Sequence, residues 1–367
     1  MKILLIANNY WNFYNFRKEL IDKILEAEHE VHLLGNDDDY FAEFKKKNLK
    51  LHKIKFSSRK KSIIEDFFLI IKLYKKIKLI NPNIILSFTI KANIYSSLIS
   101  KILDINIINN ITGLGSSFLN NKIIKLITIF LYRISLSKSK MVFFQNISDK
   151  KLFLKLKIVK ESNSKVIPGS GIDTSYFRSN HSLPKDKNIF LFSGRLIKDK
   201  GINEYLQAAK LIIDKKNNCE FHIIGKLDKD EKSSIKETYL NSYLRNKKIK
   251  YFGFVKNLKQ YYANSSCVIL PSYREGLSRS LLEAASMSRP IITTNVPGCQ
   301  DLVQENENGF LTEVKNVDSL VKAINTFINL SYANKQLMAK SSRNIAQNKF
   351  QINIVISNYL KKIRELE

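Results

Sequence analysis

Cysteine is scarce in this 367-residue chain, and its three copies, Cys219, Cys267 and Cys299, are an odd set without the spacing of metal ligands. That argues against a disulfide framework or a zinc module and predicts a reducing, cytoplasmic setting. Long apolar runs are missing as well: no charge-free stretch reaches the ~18 residues needed to span a bilayer. The start does not read as a secretory leader, because Lys2 runs directly into a strand-like Ile-Leu-Leu-Ile-Ala that stops at Asn8-Asn9. There are no short repeats or low-complexity tails, and no helix-turn-helix, zinc or RNA-binding signature. Negative charge is also in short supply, with 33 Asp and Glu against 61 Lys and Arg, a net of +28.

What is present points to a folded α/β protein. The 44% apolar content suits a globular chain, and its length suits two domains. Short apolar runs alternate with amphipathic stretches throughout, the pattern of parallel α/β architecture. Strands are expected at 3–7, 30–34, 51–55, 84–88, 105–109, 141–144 and 165–167. A second series is expected at 189–193, 220–224, 249–252, 267–270 and 290–293, with only helix from about Asp318. Between the two series the Gly- and Pro-bearing segment Pro168–Asp173 and a polar stretch to Lys187 place a domain boundary near 175–188. The expected domains are 1–180 and 188–348, followed by a terminal helix over 349–367. Two such domains facing across a cleft would offer ligand loops at strand C-terminal ends.

The basic excess is concentrated. Residues 59–160 hold 19 Lys and Arg against 4 Asp and Glu, while residues 1–58 hold 10 against 9. A focused basic face recruits a polyanion, either anionic lipid or nucleic acid. The helical segments Arg59–Ile80 and Lys122–Lys140 mix Ile, Leu and Phe with Lys. Core packing would explain their apolar residues, and so would a helix lying in an anionic membrane interface.

The chemistry is carried by two segments. In Leu191-Phe-Ser-Gly-Arg-Leu-Ile-Lys-Asp-Lys-Gly201, a buried strand leads through a Gly194 turn with the cations Arg195 and Lys200 into a helix opening at Gly201. Cations and free helix N-terminal amides converging on one place make a diphosphate clasp, Arg gripping bidentately and Lys adding a point charge. Either cation alone reads as solvated charge in a Lys-rich chain. Glu275-Gly-Leu-Ser-Arg-Ser-Leu-Leu-Glu283 sets two carboxylates eight residues apart across a loop-to-helix junction. Glu283 falls on an apolar helical face, where a carboxylate needs hydroxyl donors such as a ribose supplies. The backbone at Gly276, Leu277 and Ser278 offers N–H groups to a leaving phosphate. A nucleotide-sugar site is the reading that joins these features.

These segments, with Val166-Ile-Pro-Gly-Ser-Gly-Ile-Asp173, Phe252-Gly-Phe-Val255, Pro290-Ile-Ile-Thr-Thr-Asn-Val-Pro-Gly298 and Glu307-Asn-Gly-Phe310, resemble the retaining glycosyltransferases of family four. The resemblance implies the GT-B fold: two Rossmann-like domains facing across a cleft, with the helix Gln351–Arg364 crossing back onto the first. It implies that Arg195 and Lys200 hold the donor diphosphate and Glu283 the ribose hydroxyls. Glu275 would hold the sugar hydroxyls, and the backbone near Phe254 and Val255 would frame the base. Many relatives place a His in a first-domain loop near the reacting carbon, whereas His29, His32, His52, His181 and His222 lie in no such loop. The comparable place is Asn109-Asn-Ile-Thr-Gly-Leu-Gly115, where Asn110 or Thr112, beside Gly113, offers a polar contact. That Thr-Gly-Leu-Gly loop resembles a subgroup extending polyprenyl-diphosphate-linked sugars.

Asp37-Asp-Asp39 could suggest a chelating motif, but its place between a strand and a helix reads as a helix-start acid cluster. With two cations to neutralise a diphosphate, no metal or other cofactor is expected. The expected activity is hexosyl or N-acetylhexosaminyl transfer from a UDP-sugar to an undecaprenyl-diphosphate-linked saccharide for O-antigen, capsule or protein glycans. The enzyme would be peripheral on the inner face of the cell membrane and would bind no nucleic acid. Two other readings fit parts of the pattern: a UDP-N-acetylsugar epimerase of the same fold, and a degenerate transferase acting as a polyanion-binding module.

Overall fold

The computed structural model describes residues 1–45, 48–56, 63–115, 122–216, 218–228, 231 and 233–367, with Ile63 and Lys122 described by backbone alone. The chain forms two compact units, Met1–Gly171 with Ile352–Glu367, and Ile172–Gln351.

The first unit runs β1 (Lys2–Asn9), α1 (Tyr10–Phe16), α2 (Lys18–Glu26), β2 (Glu30–Asn36), β3 (Leu49–Lys53), α3 (Ile63–Ile80), β4 (Ile84–Phe88) and α4 (Ile90–Leu103). It continues with β5 (Asn106–Ile111), α5 (Lys122–Ser135), β6 (Met141–Phe144), α6 (Ile147–Lys155) and β7 (Ser164–Val166). The seven strands are parallel in the order β3-β2-β1-β4-β5-β6-β7. Parallel central strands are buried on both faces and so read as unbroken apolar runs. β1 illustrates this: Ile3, Leu5 and Ala7 enter one core layer, and Leu4 and Ile6 enter the other. The Leu4 layer contains α3, α4 and α5 through Leu69, Leu73, Ala92, Tyr95 and Tyr132.

The second unit runs β8 (Asn188–Ser193), α7 (Ile202–Ile213), β9 (Cys219–Ile224), α8 (Glu237–Leu244), β10 (Ile249–Tyr251), α9 (Lys259–Ala263) and β11 (Cys267–Leu270). It continues with α10 (Arg279–Ser286), β12 (Ile291–Thr294), β13 (Gly309–Thr312), α11 (Val317–Asn329) and α12 (Tyr332–Lys349). Its parallel sheet has the order β10-β9-β8-β11-β12-β13. Strand β13 was not anticipated. Its four residues carry no periodicity of their own, and pairing with β12 makes them a strand.

The last helix, α13 (Ile352–Arg364), belongs to the first unit. Ile352, Val355, Ile356, Tyr359 and Ile363 repeat at helical spacing and fill the core layer that holds Ile3 and Leu5. The division at Ile172 precedes the polar segment 175–188, which packs on the second unit. There Arg289 reaches the His181 carbonyl at 2.6 Å, Tyr332 donates to the Leu183 carbonyl at 3.0 Å, and Arg343 donates to the Phe177 carbonyl at 2.9 Å.

Candidate functional site

In each sheet the strand order reverses once, between β1 and β4 and between β8 and β11. Open α/β sheets bind ligands outside the carboxyl ends of the strands at such a switch point. The two segments singled out above leave the ends of β8 and β11.

Beyond Ser193 the chain passes through Arg195 into a 3-10 turn, Lys198–Lys200, and enters α7 through Gly201. Gly201 has φ +73°, and a Cβ there would lie 2.0 Å from the Pro271 carbonyl oxygen, so this close passage of two loops requires glycine. Arg195 is exposed, and among the described residues its guanidinium has no protein partner. Lys200 points inward and pairs with Glu275 Oε1. Ser272 Oγ lies 2.7 Å from the same oxygen and 3.0 Å from the Asp199 carbonyl, which also accepts the Tyr273 N–H at 2.9 Å. Tyr273 donates its hydroxyl to Glu204 Oε1 at 2.7 Å. The Lys200 turn and the Glu275 loop are thus stapled together by backbone and side-chain bonds.

A second loop supports Glu275 from the other side. The Glu275 N–H donates to Pro297 at 3.0 Å and the Ser278 N–H to Gly298 at 3.0 Å. Gly298 has φ +79°, and a Cβ there would stand 2.5 Å from the Glu275 carbonyl oxygen. This explains why Pro290–Gly298 belongs to the same constellation. Gly276, Leu277 and Ser278 are buried, and Ser278 is the N-cap of α10 without a side-chain capping bond. The first-turn amides of a helix have no intrahelical acceptor and favour an anion.

Glu283 lies on the buried face of α10. Arg279, one turn earlier, donates Nε to its Oε1 at 3.0 Å, and the Tyr262 hydroxyl lies 3.1 Å from Oε2 and 3.3 Å from Ser193 Oγ. Burial pushes the Glu283 pKa up, while Arg279 and Tyr262 oppose that shift. The donors expected for a buried acid are therefore supplied from within, and each carboxylate oxygen keeps a further lone pair for a ligand hydroxyl. The i,i+4 spacing made Arg279 findable in the sequence. Tyr262 comes from α9, and no local signal marks it. Phe254 is exposed and Val255 is half-buried against the core, just after β10.

In the first unit Thr112 and Gly113 follow the end of β5, partly accessible. Residues 116–121, including Ser117 of the same loop, lie outside the described residues. Asn110 does not offer a ligand contact: it is fully buried and donates Nδ2 to the Tyr359 hydroxyl of α13 at 2.6 Å. Sequence reasoning also passed over Thr89 at the end of β4. Its φ of +75° is strained for a β-branched residue, and its hydroxyl donates to Asn8 Oδ1, at the end of β1, at 2.8 Å. Only the tertiary fold shows that these two strand ends are neighbours. Asp37–Asp39 is not the start of the next helix. Asp37 pairs with Lys53 at 2.7 Å, and Asp38 accepts the Trp11 N–H of α1 at 2.9 Å and the Tyr40 N–H at 3.0 Å.

Comparison with known proteins finds glycosyltransferases. The family model for glycosyl transferases group 1 matches residues 173–349, and the glycosyl transferase 4-like model matches residues 2–146. The sequence is 24% identical, over 98% of both chains, to the N,N′-diacetylbacillosaminyl-diphospho-undecaprenol α-1,3-N-acetylgalactosaminyltransferase of Campylobacter jejuni. It is 27% identical to the UDP-Gal:α-D-GlcNAc-diphosphoundecaprenol α-1,3-galactosyltransferase of Escherichia coli, over 79% of this chain and 77% of that one. The capsular polysaccharide biosynthesis glycosyltransferase CapM of Staphylococcus aureus is 30% identical over 175 residues, and the match spans less than half of that protein, 45%. Among solved structures, a sucrose-phosphate synthase from Thermosynechococcus elongatus shares the fold, with a TM-score of 0.82 at 17% identity over 100% of this chain and 99% of that one.

Proposed function

Because the chain belongs to the glycosyltransferases, with a group 1 unit and a 4-like unit, we propose that it transfers a hexose or N-acetylhexosamine from a UDP-sugar to an undecaprenyl-diphosphate-linked saccharide, with retention at the anomeric carbon. The observation that carries the reading is the stapled Lys200–Glu275 pair beside exposed Arg195 at the β8/β11 switch point. The relatives matched over more than three quarters of their length support the donor and acceptor, since one is described with UDP-Gal and both act on diphosphoundecaprenol-linked sugars.

In this reading Arg195 and Lys200 hold the diphosphate, and the first-turn amides of α10 add positive potential. Glu275 accepts hydrogen bonds from the sugar hydroxyls, and Glu283 does so from the ribose. Phe254 and Val255 flank the base. The bond between the anomeric carbon and the diphosphate oxygen breaks as the acceptor hydroxyl oxygen attacks the same face. The acceptor proton passes to the departing phosphate oxygen, so no protein nucleophile is needed. The protein supplies positioning and charge stabilisation. Charge neutralisation by Arg195 and Lys200 makes the reaction metal-independent, and the lipid-linked acceptor makes the enzyme peripheral on the inner face of the membrane.

The test is transfer from UDP-sugars to a diphosphoundecaprenol-linked acceptor in the presence of EDTA, with product configuration read by NMR. An α-configured product formed at an unchanged rate is expected. An inverted product, or activity abolished by EDTA and restored by a divalent cation, would overturn the mechanism.

A further inference from the structure

Helices α3 and α5 each carry a buried stripe and, opposed to it, an apolar stripe that faces solvent. In α3 the buried stripe is Leu69, Leu73, Ile77 and Ile80, set in the core layer beneath it. Ile64, Phe67, Phe68 and Ile71, at i, i+3, i+4 and i+7, form a second stripe that faces solvent, with Phe67 60% exposed. At 100° per residue the two sets lie about 180° apart. Helix α5 repeats the arrangement. Thr128, Tyr132, Ser135 and Leu136 in and just after it face inward, and Ile123, Leu126, Ile127, Phe130 and Ile134 face out, with Phe130 59% exposed. Both helices pack against α4, which places the two outer stripes in one helical layer of the first unit.

Core packing accounts for the inner stripes alone. Large apolar side chains repeated at helical spacing on an outer face mark an interaction surface. The surrounding charge specifies the partner. Between residues 63 and 140 there are 11 Lys and Arg against 3 Asp and Glu, and of the latter Asp66 is paired with Lys91 at 2.7 Å. Exposed Lys72, Lys75 and Lys78 continue the outer side of α3, and Arg133, Lys138 and Lys140 lie at the end of α5 and just beyond it. Glu65 beside Ile64 and Asp104 at the end of α4 are the exposed acids. Apolar ridges bordered by cations match a bilayer surface with anionic headgroups, where the apolar side chains enter the acyl boundary and the Lys and Arg side chains stay at the phosphates. No helix among the described residues is long and apolar enough to cross a membrane, so the fit is to a helix lying in the interface. The basic residues 59–61 lie outside the described residues.

We infer that the outer stripes of α3 and α5 form an interfacial docking surface that inserts Phe67, Phe68 and Phe130 into an anionic bilayer. The inference deepens the lipid-linked acceptor reading and rests on it for its purpose, while the surface itself is argued from exposure and charge.

The experiment is co-sedimentation of the full chain with vesicles of phosphatidylcholine alone or with 30% phosphatidylglycerol, comparing wild type with Phe67→Ser/Phe130→Ser. Both positions are solvent-facing, so the variant should fold; circular dichroism and UDP binding check this. Wild type is expected to bind the anionic vesicles, to lose binding as salt rises, and to exceed the variant in partition coefficient at least tenfold. Equal partition of wild type and variant would overturn the proposal. So would a wild-type dimer that the variant makes monomeric, which would assign the stripes to a second copy, or binding to nucleic acid but not to vesicles. Transfer to a water-soluble short-chain acceptor, measured in parallel, separates the two ideas. A variant that fails on vesicles but works on the soluble acceptor leaves the catalytic reading intact. Vesicle binding without transfer leaves only the docking surface.

Discussion

Lys200 and Glu275 share one hydrogen bond, so each depends on the other for its position. Lys200→Met keeps the stem and removes the charge, and Glu275→Gln keeps the shape and removes the charge. Each single change is expected to lower kcat at least about 100-fold, the range for loss of one preorganised charge contact. The double variant should lose less than the product of the singles, because the groups act as a pair. Initial rates under saturating donor check this, and strictly multiplicative losses would show that the two act separately. A second residue-scale expectation concerns stability. His52 Nε2 lies 2.9 Å from His32 Nδ1, and His32 Nε2 lies 2.9 Å from Glu30, which Lys50 also pairs. Burial, then His32, Lys76 and Lys50, push the His52 pKa down to about 4. Between that value and the usual ~6.5 the unfolded chain binds more protons, so the contribution is full above pH 6.5 and is lost as pH falls toward 4. Trp11, the single tryptophan, reports unfolding of the first unit. Its urea midpoint should fall between pH 7.5 and pH 5 in wild type, and fall less in His52→Gln.

Elements were legible where their residues alone carry the pattern. β4, β6 and β11 occupy the expected residues 84–88, 141–144 and 267–270, because short apolar runs between polar stretches have one way to be buried. β13 was not legible, since its pairing with β12 is what defines it. In the sequence the stripes of α3 and α5 merge into one mixed composition. Only burial separates the inner set from the outer one, because both fit a 3.6-residue period. At the proposed site, residue type and spacing single out Arg195, Lys200, Glu275 and Glu283, whereas Tyr262, Ser272 and Thr89 acquire meaning from distant partners. Helix α13 gives a test at this scale. Tyr359→Phe leaves buried Asn110 Nδ2 without its 2.6 Å acceptor, which should cost about 1–3 kcal/mol. The Trp11 urea midpoint checks it, and an unchanged midpoint would mean that the bond adds no stability.

For the whole molecule, the alternation of strands and helices points to two parallel α/β units, whereas the return of the terminal helix to the first is implied by the family resemblance and not by periodicity. The division at Ile172 was less legible, because the polar stretch after it looks like a linker until Arg289, Tyr332 and Arg343 are seen to anchor it. Length and composition do not encode which sugar or which lipid-linked acceptor the enzyme takes. The central claim is that the chain moves a sugar from UDP to a lipid-linked saccharide through the Lys200–Glu275 site. Its most direct test is UDP release from a panel of UDP-sugars, with and without a polyprenyl-diphosphate-linked saccharide in detergent, for wild type and Lys200→Met. The account predicts release from one donor only when the lipid-linked saccharide is present, and its loss in the variant. Acceptor-independent epimerisation of a UDP-sugar, or equal release by wild type and Lys200→Met, would contradict it.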